Sequence, residues 1–337
     1  MVKFPAKGRV PQVTDRTEDV LSKVSGYGDN MLQMPFVGIP SFFRTDMETE
    51  WDKLDLALVG VPSDAGLSHR PGARYGPQAV RAQSGLIRYI NPFTRVIPYE
   101  LARVRDIGDV PIENTLQLDL IVEEIFAFYK RIAAAGIIPV SVGGDHSISY
   151  PIVKALGAQQ PLGLIHFDAH HDTTPAMKGS RFHHGAPFRN GIVDGVIDPK
   201  RMIQIGIRDP YQETARPFVD EQGITVIDMV EFTKRGIDET VREIRRVVGA
   251  GPVYISFDVD VLDPAYAPGT GTPVVGGLTV REAMQLLHGL RGLNIVGGDV
   301  VEVSPPFDPT GVTALVGAQM MFEILCLAAE AFANRQR

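Results

Sequence analysis

The sequence predicts one α/β domain, a mainly parallel sheet covered by helices on both faces. Three observations predict it. Short apolar runs of strand length recur along the chain, segments with helical apolar spacing separate them, and no repeat, low-complexity tract or linker divides the 337 residues. Strands that alternate with helices pair in parallel, since each helix carries the chain back to the same edge. Strands covered on both faces read as unbroken apolar runs.

Residues 1–50, rich in Pro, Gly and polar side chains, read as an N-terminal arm ahead of a single domain over 51–337. Leu56-Ala-Leu-Val-Gly60 is the first buried strand. Gly76-Pro77 then opens a helix through Ile87, with Pro in the first turn, where its missing N–H costs nothing. Apolar residues at 121, 125, 128 and 132 predict a helix over Leu118–Ala135, and Ile137–Val142 is the strand after it. Leu162–Phe167, Met202–Ile205, Val253–Phe257 and Ile295–Val301 are further strands. Helices are expected at about 151–156, 237–248, 280–289 and 312–333.

Composition removes several classes of function. The chain is 44% hydrophobic and 22% charged, ordinary for a globular enzyme, and its net charge of −7 argues against a nucleic-acid binder. The first residues hold no apolar run of signal-peptide length, and no stretch reads as the 18 or more apolar residues of a membrane span. The expectation is a cytoplasmic protein without a membrane or nucleic-acid partner. Cys326, the single cysteine, lies in the apolar stretch 323–329 and is expected in the core.

Three polar clusters end apolar strand runs: Gly143-Gly-Asp-His-Ser147, Phe167-Asp-Ala-His-His-Asp172 and Ser256-Phe-Asp-Val-Asp-Val-Leu-Asp-Pro264. Ligand sites of parallel sheets lie at the carboxyl ends of the strands. In extended chain, side chains two apart share a face. Asp168, His170 and Asp172 would therefore converge if the strand continues, and so would Asp258 and Asp260, beside His146. One Asp-x-His alone is usually a cap or a surface pair. Two imidazoles and four carboxylates at one sheet edge are different, because the carboxylates would repel one another unless divalent cations held them. Six oxygen-rich ligands suit two ions better than one, and suit manganese better than a thiolate-seeking metal.

At these residues the chain resembles the ureohydrolase family of arginases, agmatinases and guanidinobutyrases. The third motif continues through Ala265-Tyr-Ala-Pro-Gly-Thr-Gly-Thr-Pro273 and Gly276-Gly-Leu278, and the resemblance runs from about residue 55 to the C-terminus. It implies a three-layer α/β/α fold of the arginase type and a catalytic domain with a binuclear manganese centre. Nickel is the alternative, as in relatives that hydrolyse free guanidine. His146 and Asp172 would ligate one ion, His170 and Asp260 the other, with Asp168 and Asp258 bridging. His184, in His183-His-Gly185, matches the family's mobile proton carrier, and Glu302, in Val300-Val-Glu-Val-Ser304, matches its guanidinium-binding glutamate. Taken alone, Glu302 reads first as a structural ion-pair partner at a strand end. The implied reaction is attack of a metal-bridging hydroxide on the guanidinium carbon. Asp172 would help reprotonate the intermediate and His184 would pass a proton to the departing amine, releasing urea. Family members assemble as trimers or hexamers, so a homo-oligomer is expected.

The substrate is less sharply defined. Val300–Asp308, Gln33–Pro40 and Asp106–Val110 look closer to agmatinases and guanidinobutyrases than to arginase, so agmatine or a guanidino acid such as 4-guanidinobutanoate is expected. A different guanidine or biguanide, or a subunit of a hetero-oligomer, are the alternatives. Thr173–Arg181 carries Lys178 and Arg181 and no acidic residue, a basic loop that would suit a substrate carboxylate. His69 and Arg70 fall where relatives build the substrate entrance, His183 is open between pocket and scaffold, and alternation points His171 away from the metals. Gly269-Thr-Gly271 lacks the strand-turn-helix context of a dinucleotide loop. A single-zinc deacetylase would need a different ligand set, and a silent subunit would have lost a ligand, whereas all six are present.

Overall fold

Each expected apolar run folds as a strand, because β-branched and aliphatic side chains pack well on a pleated surface buried from both sides. The computed structural model describes residues 34–336, apart from 52, 88 and 211. Residues 1–33 of the expected arm lie outside it. Its centre is an eight-stranded, wholly parallel sheet. The strands are β1 (Leu56–Val61), β2 (Val104–Asp109), β3 (Ile138–Gly143), β4 (Leu162–Phe167), β5 (Ile197–Ile207), β6 (Thr225–Asp228), β7 (Val253–Asp258) and β8 (Ile295–Val301). Their spatial order is β2-β1-β3-β8-β7-β4-β5-β6. The three strands that end in the polar motifs, β3, β7 and β4, and β8, which leads into Glu302, are consecutive at the centre.

The helices among the described residues are α1 (Gly76–Ser84), α2 (Pro98–Leu101), α3 (Leu118–Ala134), α4 (Ser149–Leu156), α5 (Pro187–Val193), α6 (Gln212–Gln222), α7 (Met229–Val248), α8 (Val280–His288) and α9 (Val312–Arg335). One apolar core joins α1, α7, α8 and α9 to one face of the sheet, and another joins α3, α4 and α5 to the opposite face. This is the expected three-layer α/β/α arrangement. Burying one Leu or Ile side chain contributes about 1.5–3 kcal/mol, so the two cores dominate stability.

Several boundaries differ from expectation. α1 stops at Ser84 rather than Ile87, where Leu86 and Ile87 turn back onto the carbonyls of Gln83 and Ser84. α7 includes the expected 237–248 and also a preceding segment, joined across Gly236 at φ 71°. Its first turn is capped by Asp228, whose side chain accepts from the Glu231 N–H at 2.7 Å. α8 begins in a capping box between Thr279 and Glu282. The strands that sequence reading missed, β2 and β6, are the two edges of the sheet. β6 has only four residues, and β2 interrupts its apolar pattern with Asp106, buried against Arg81 at 2.9 Å. One correction concerns membranes: α9 is long and apolar enough to cross one by length and composition, although 83% of its most apolar window is buried within the protein. It is a core helix, and Cys326 is buried within it.

Candidate metal centre

The polar motifs meet at the carboxyl edge of the sheet, but not through strand alternation. β4 ends at Phe167, so Asp168 to Asp172 form an irregular loop in which Asp172 has a left-handed backbone, φ 49°. β7 ends at Asp258, whose carboxylate accepts from the Asp260 N–H at 2.8 Å and starts a 3-10 turn over Val259–Val261. Local side-chain-to-backbone bonding wins over strand continuation at both places. After β3, the Asp145 carboxylate accepts from the main-chain N–H of Ser147 at 2.8 Å and of Gly66 at 2.8 Å, presenting His146 at the start of a short turn. Gly144 is needed here, since a Cβ would sit 2.1 Å from the Ser63 carbonyl oxygen.

All six candidate ligands converge. His146 Nδ1 lies 2.9 Å from Asp172 Oδ2, 3.1 Å from Asp168 Oδ2 and 3.3 Å from Asp258 Oδ2. His170 Nδ1 lies 3.0 Å from Asp260 Oδ2 and 3.3 Å from Asp168 Oδ1. Asp168 thus turns one oxygen toward each imidazole, and two sets of potential ligands share it. All four carboxylates are buried.

This donor set fits cations. His146 Nε2 faces Ser256 Oγ at 2.8 Å, and Ser256 Oγ donates to Asp299 Oδ1 at 2.6 Å. Ser256 can then only accept from His146, so the ring proton is on Nε2. Nδ1 is buried without a hydrogen-bond partner and aimed at three carboxylate oxygens. Burial lowers the imidazole pKa, but the charge of Asp172 and the oxygens of Asp168 and Asp258 outweigh it and hold it well above its ordinary value. Burial, then the charges of Asp260 and Asp168, push the Asp258 carboxyl well above its ordinary range. Asp260 is pushed up to about 6, mainly by burial, with the charge of Asp168 adding to it and His170 opposing it. Crowded acceptors of this kind are what divalent cations neutralise.

A second group stands beside the first. Glu302, just past β8, also has a left-handed backbone, φ 64°. Its Oε1 accepts from the His146 N–H at 2.9 Å, while Oε2 is buried without a partner. His184 Nδ1 lies 3.5 Å from Glu302 Oε1, and His184 Nε2 lies 2.7 Å from Ser68 Oγ. Burial lowers the His184 imidazole, but the hydrogen bond and charge of Glu302 outweigh it and push it up to about 9. Left-handed φ at two non-glycine residues of one site marks strain held by its surroundings.

A cavity of about 820 Å³ opens onto this centre, lined among others by Ser68, His69, Arg70, His183 and His184. Arg70 serves the scaffold, donating to the carbonyl oxygens of Gly271 and Thr270 at 3.0 Å each and lying over the Phe307 ring. His183 Nε2 faces the Pro175 carbonyl at 3.1 Å. The expected basic loop contributes neither of its cations to the cavity wall. Arg181 is paired with Asp194 at 2.9 Å and with Asn190 at 3.1 Å, Lys178 is exposed, and neither lines the cavity. Sequence reading missed His166, Gln204 and Asp299 and gave Ser256, which opens the third motif, no role; all four are fully buried under the site. Their signal was the polar interruption of strand runs that otherwise read as wholly apolar.

Comparison with known proteins agrees with this geometry. The arginase family profile matches residues 54–327. The guanidinopropionase of Pseudomonas aeruginosa is 53% identical over 301 residues, covering 89% of this chain and 94% of that one. The mitochondrial guanidino acid hydrolase of Homo sapiens is 44% identical over 297 residues, covering 86% and 83%. Among solved structures, proclavaminate amidino hydrolase from Streptomyces clavuligerus superposes with a TM-score of 0.86 at 38% identity, over 89% of this chain and all of that one.

Proposed function

The chain belongs to the arginase family, and on that premise we propose that it hydrolyses the guanidino group of a small linear guanidino acid to urea and an amine. The observation that carries this reading is the buried, unpartnered Glu302 Oε2 beside a cluster of four carboxylates and two histidines. A buried carboxylate oxygen without a donor is costly, and a guanidinium N–H supplies what it lacks. The guanidino-acid preference rests on the high identity to guanidinopropionase.

His146 and Asp172 would hold one divalent cation and His170 and Asp260 a second, with Asp168 and Asp258 shared. Manganese suits the oxygen-rich set, with nickel as the alternative. When bound, the cations would lower the pKa of a water toward neutrality and offset negative charge on the reacting centre. The protein's own groups do the rest. Glu302 anchors the planar guanidinium through Oε2, its position set by the His146 N–H and by its own N–H bond to the Gly144 carbonyl at 2.9 Å. Placement of the guanidinium carbon against the carboxylate cluster turns an encounter into a unimolecular event. As the C–N bond to the amine breaks, the departing nitrogen needs a proton. His184, pushed up to about 9, holds one at neutral pH and sits against Glu302, where the guanidinium docks.

Urea release on a panel of 3-guanidinopropanoate, 4-guanidinobutanoate, agmatine, arginine and guanidine, with manganese-loaded and nickel-loaded protein, tests this. Urea from the guanidino acids, tenfold or more above agmatine, is expected. Urea from agmatine alone would sink the guanidino-acid preference, and no urea from any member would sink the reaction.

A further inference from the structure

The residues to which sequence reading gave no role lie in one line. Gln204 on β5 pairs in register with His166 on β4, His166 with Ser256 on β7, Ser256 with Asp299 on β8, and Asp299 with Ser141 on β3. Residues opposite one another in parallel strands point to the same face, so the five form a polar row across five strands, each fully buried. This face is otherwise covered by apolar packing of α3, α4 and α5. A buried polar row in such a place is expensive unless every member is bonded, and its hydrogen bonds can be followed atom by atom.

The main-chain carbonyl of His171 can only accept, so the Gln204 atom 2.6 Å from it is the amide nitrogen. The same nitrogen faces His166 Nδ1 at 3.1 Å, which must therefore accept. His166 then carries its proton on Nε2 and donates it to Asp168 Oδ2 at 2.7 Å. Gln204 Oε1 faces His171 Nδ1 at 2.6 Å and takes the proton there. At the other end of the row, Asp299 accepts from the hydroxyls of Ser149 at 2.6 Å, Tyr254 at 2.8 Å and Ser256 at 2.6 Å. With its hydrogen committed to Asp299, Ser256 can only accept from His146 Nε2 at 2.8 Å. Two separate chains of bonds thus end on the two candidate ligands, one on His146 Nε2 and one on Asp168 Oδ2, and the free ring nitrogen, His146 Nδ1, lies 3.1 Å from Asp168 Oδ2.

We propose that the cross-strand row Gln204–His166–Ser256–Asp299 is a positioning layer for the metal centre, which fixes the ring tautomer of His146 and the orientation of Asp168 so that both present lone pairs to one cation. This rests on the two-cation reading given above. Gln204 also holds the carbonyl between the candidate ligands His170 and Asp172, and so helps keep Asp172 in its left-handed conformation. Partners of metal ligands typically change affinity 10–100-fold when removed.

The test compares manganese affinity and stoichiometry, by calorimetry on folded protein, for the wild type, Ser256→Ala and Gln204→Met. Ser256→Ala removes one oxygen and is the gentler change. The proposal expects two cations per chain in the wild type and at least a tenfold loss of affinity in each variant. Affinity within twofold of wild type, even with a lowered melting temperature, would make the row a purely structural feature and overturn the proposal. A wild type that binds no cation would remove the two-cation reading itself. Neutron diffraction from a deuterium-exchanged, metal-loaded wild-type crystal tests the same assignment without a variant. It should find deuterium on Nε2 of His146 and of His166, and deuterium on Nδ1 of either ring would refute it.

Discussion

Asp260→Asn should stabilise the metal-free protein and weaken the metal-loaded one. Asp260 is buried, its Oδ1 accepting from the Ala169 N–H at 3.1 Å and its Oδ2 lying 3.0 Å from His170 Nδ1. Burial, with the charge of Asp168, lifts its carboxyl from 3.8 to about 6 in spite of His170. At about 1.36 kcal/mol per unit, that rise corresponds to roughly 3 kcal/mol. The folded protein keeps this proton to about 6 while the unfolded chain releases it near 3.8. The metal-free fold therefore loses stability as pH rises through that window, and the full cost stands above it. Asparagine can keep the bond from Ala169 and carries no charge. Chelator-treated variant should be more stable than chelator-treated wild type by about 3 kcal/mol at pH 8, with the gap closing near pH 3.5. Saturating manganese should reverse the order, because a ligand that binds only the folded state adds stability in proportion to RT ln(1 + [L]/Kd). Urea unfolding at a fixed protein concentration, at both pH values, with and without metal, is the assay. A metal-free variant no more stable than wild type at pH 8, or a gap that ignores pH, would refute the charge-crowding account.

Other changes should separate the roles within the pocket. Glu302→Gln should lower the His184 pKa from about 9 toward or below its ordinary value, visible by imidazole titration of metal-free protein. It should also cut kcat/KM by about 100-fold or more, as expected on losing a buried charge partner worth about 2–5 kcal/mol. His184→Asn should reduce kcat by about 100- to 10,000-fold with two cations still bound, and co-purified metal that falls with activity would contradict its placement as a proton donor. Gly144→Ala places a methyl group 2.1 Å from the Ser63 carbonyl oxygen. It should cost about 1–3 kcal/mol in thermal or urea unfolding and weaken metal binding through the adjacent His146.

The central layer was legible because strands buried on both faces must be continuously apolar, and six of the eight strands announced themselves that way. β2 and β6 did not, since edge strands are half solvated and tolerate Asp106 or a four-residue length. The six candidate ligands were legible as residue types at strand ends, in motifs where so many carboxylates have few other uses. How they converge was not. The pleat was expected to align Asp168, His170 and Asp172, whereas the strand stops at Phe167 and a left-handed Asp172 turns the last carboxylate inward. Lys178 and Arg181 looked like substrate contacts because charge is visible in a sequence while direction is not. Arg181 points to Asp194, and Lys178 lies outside the cavity lining.

The sequence by itself determined the layers, the family resemblance and the chemical inventory at the sheet edge, because periodicity and residue type are local properties of the chain. Tertiary structure alone decided which polar residues support that inventory. Gln204, His166, Ser256 and Asp299 are separated by up to 133 positions and become neighbours only when β5, β4, β7 and β8 pair in one register. Hydrogen-bond direction, and with it the tautomer of each imidazole, exists only once those strands lie side by side.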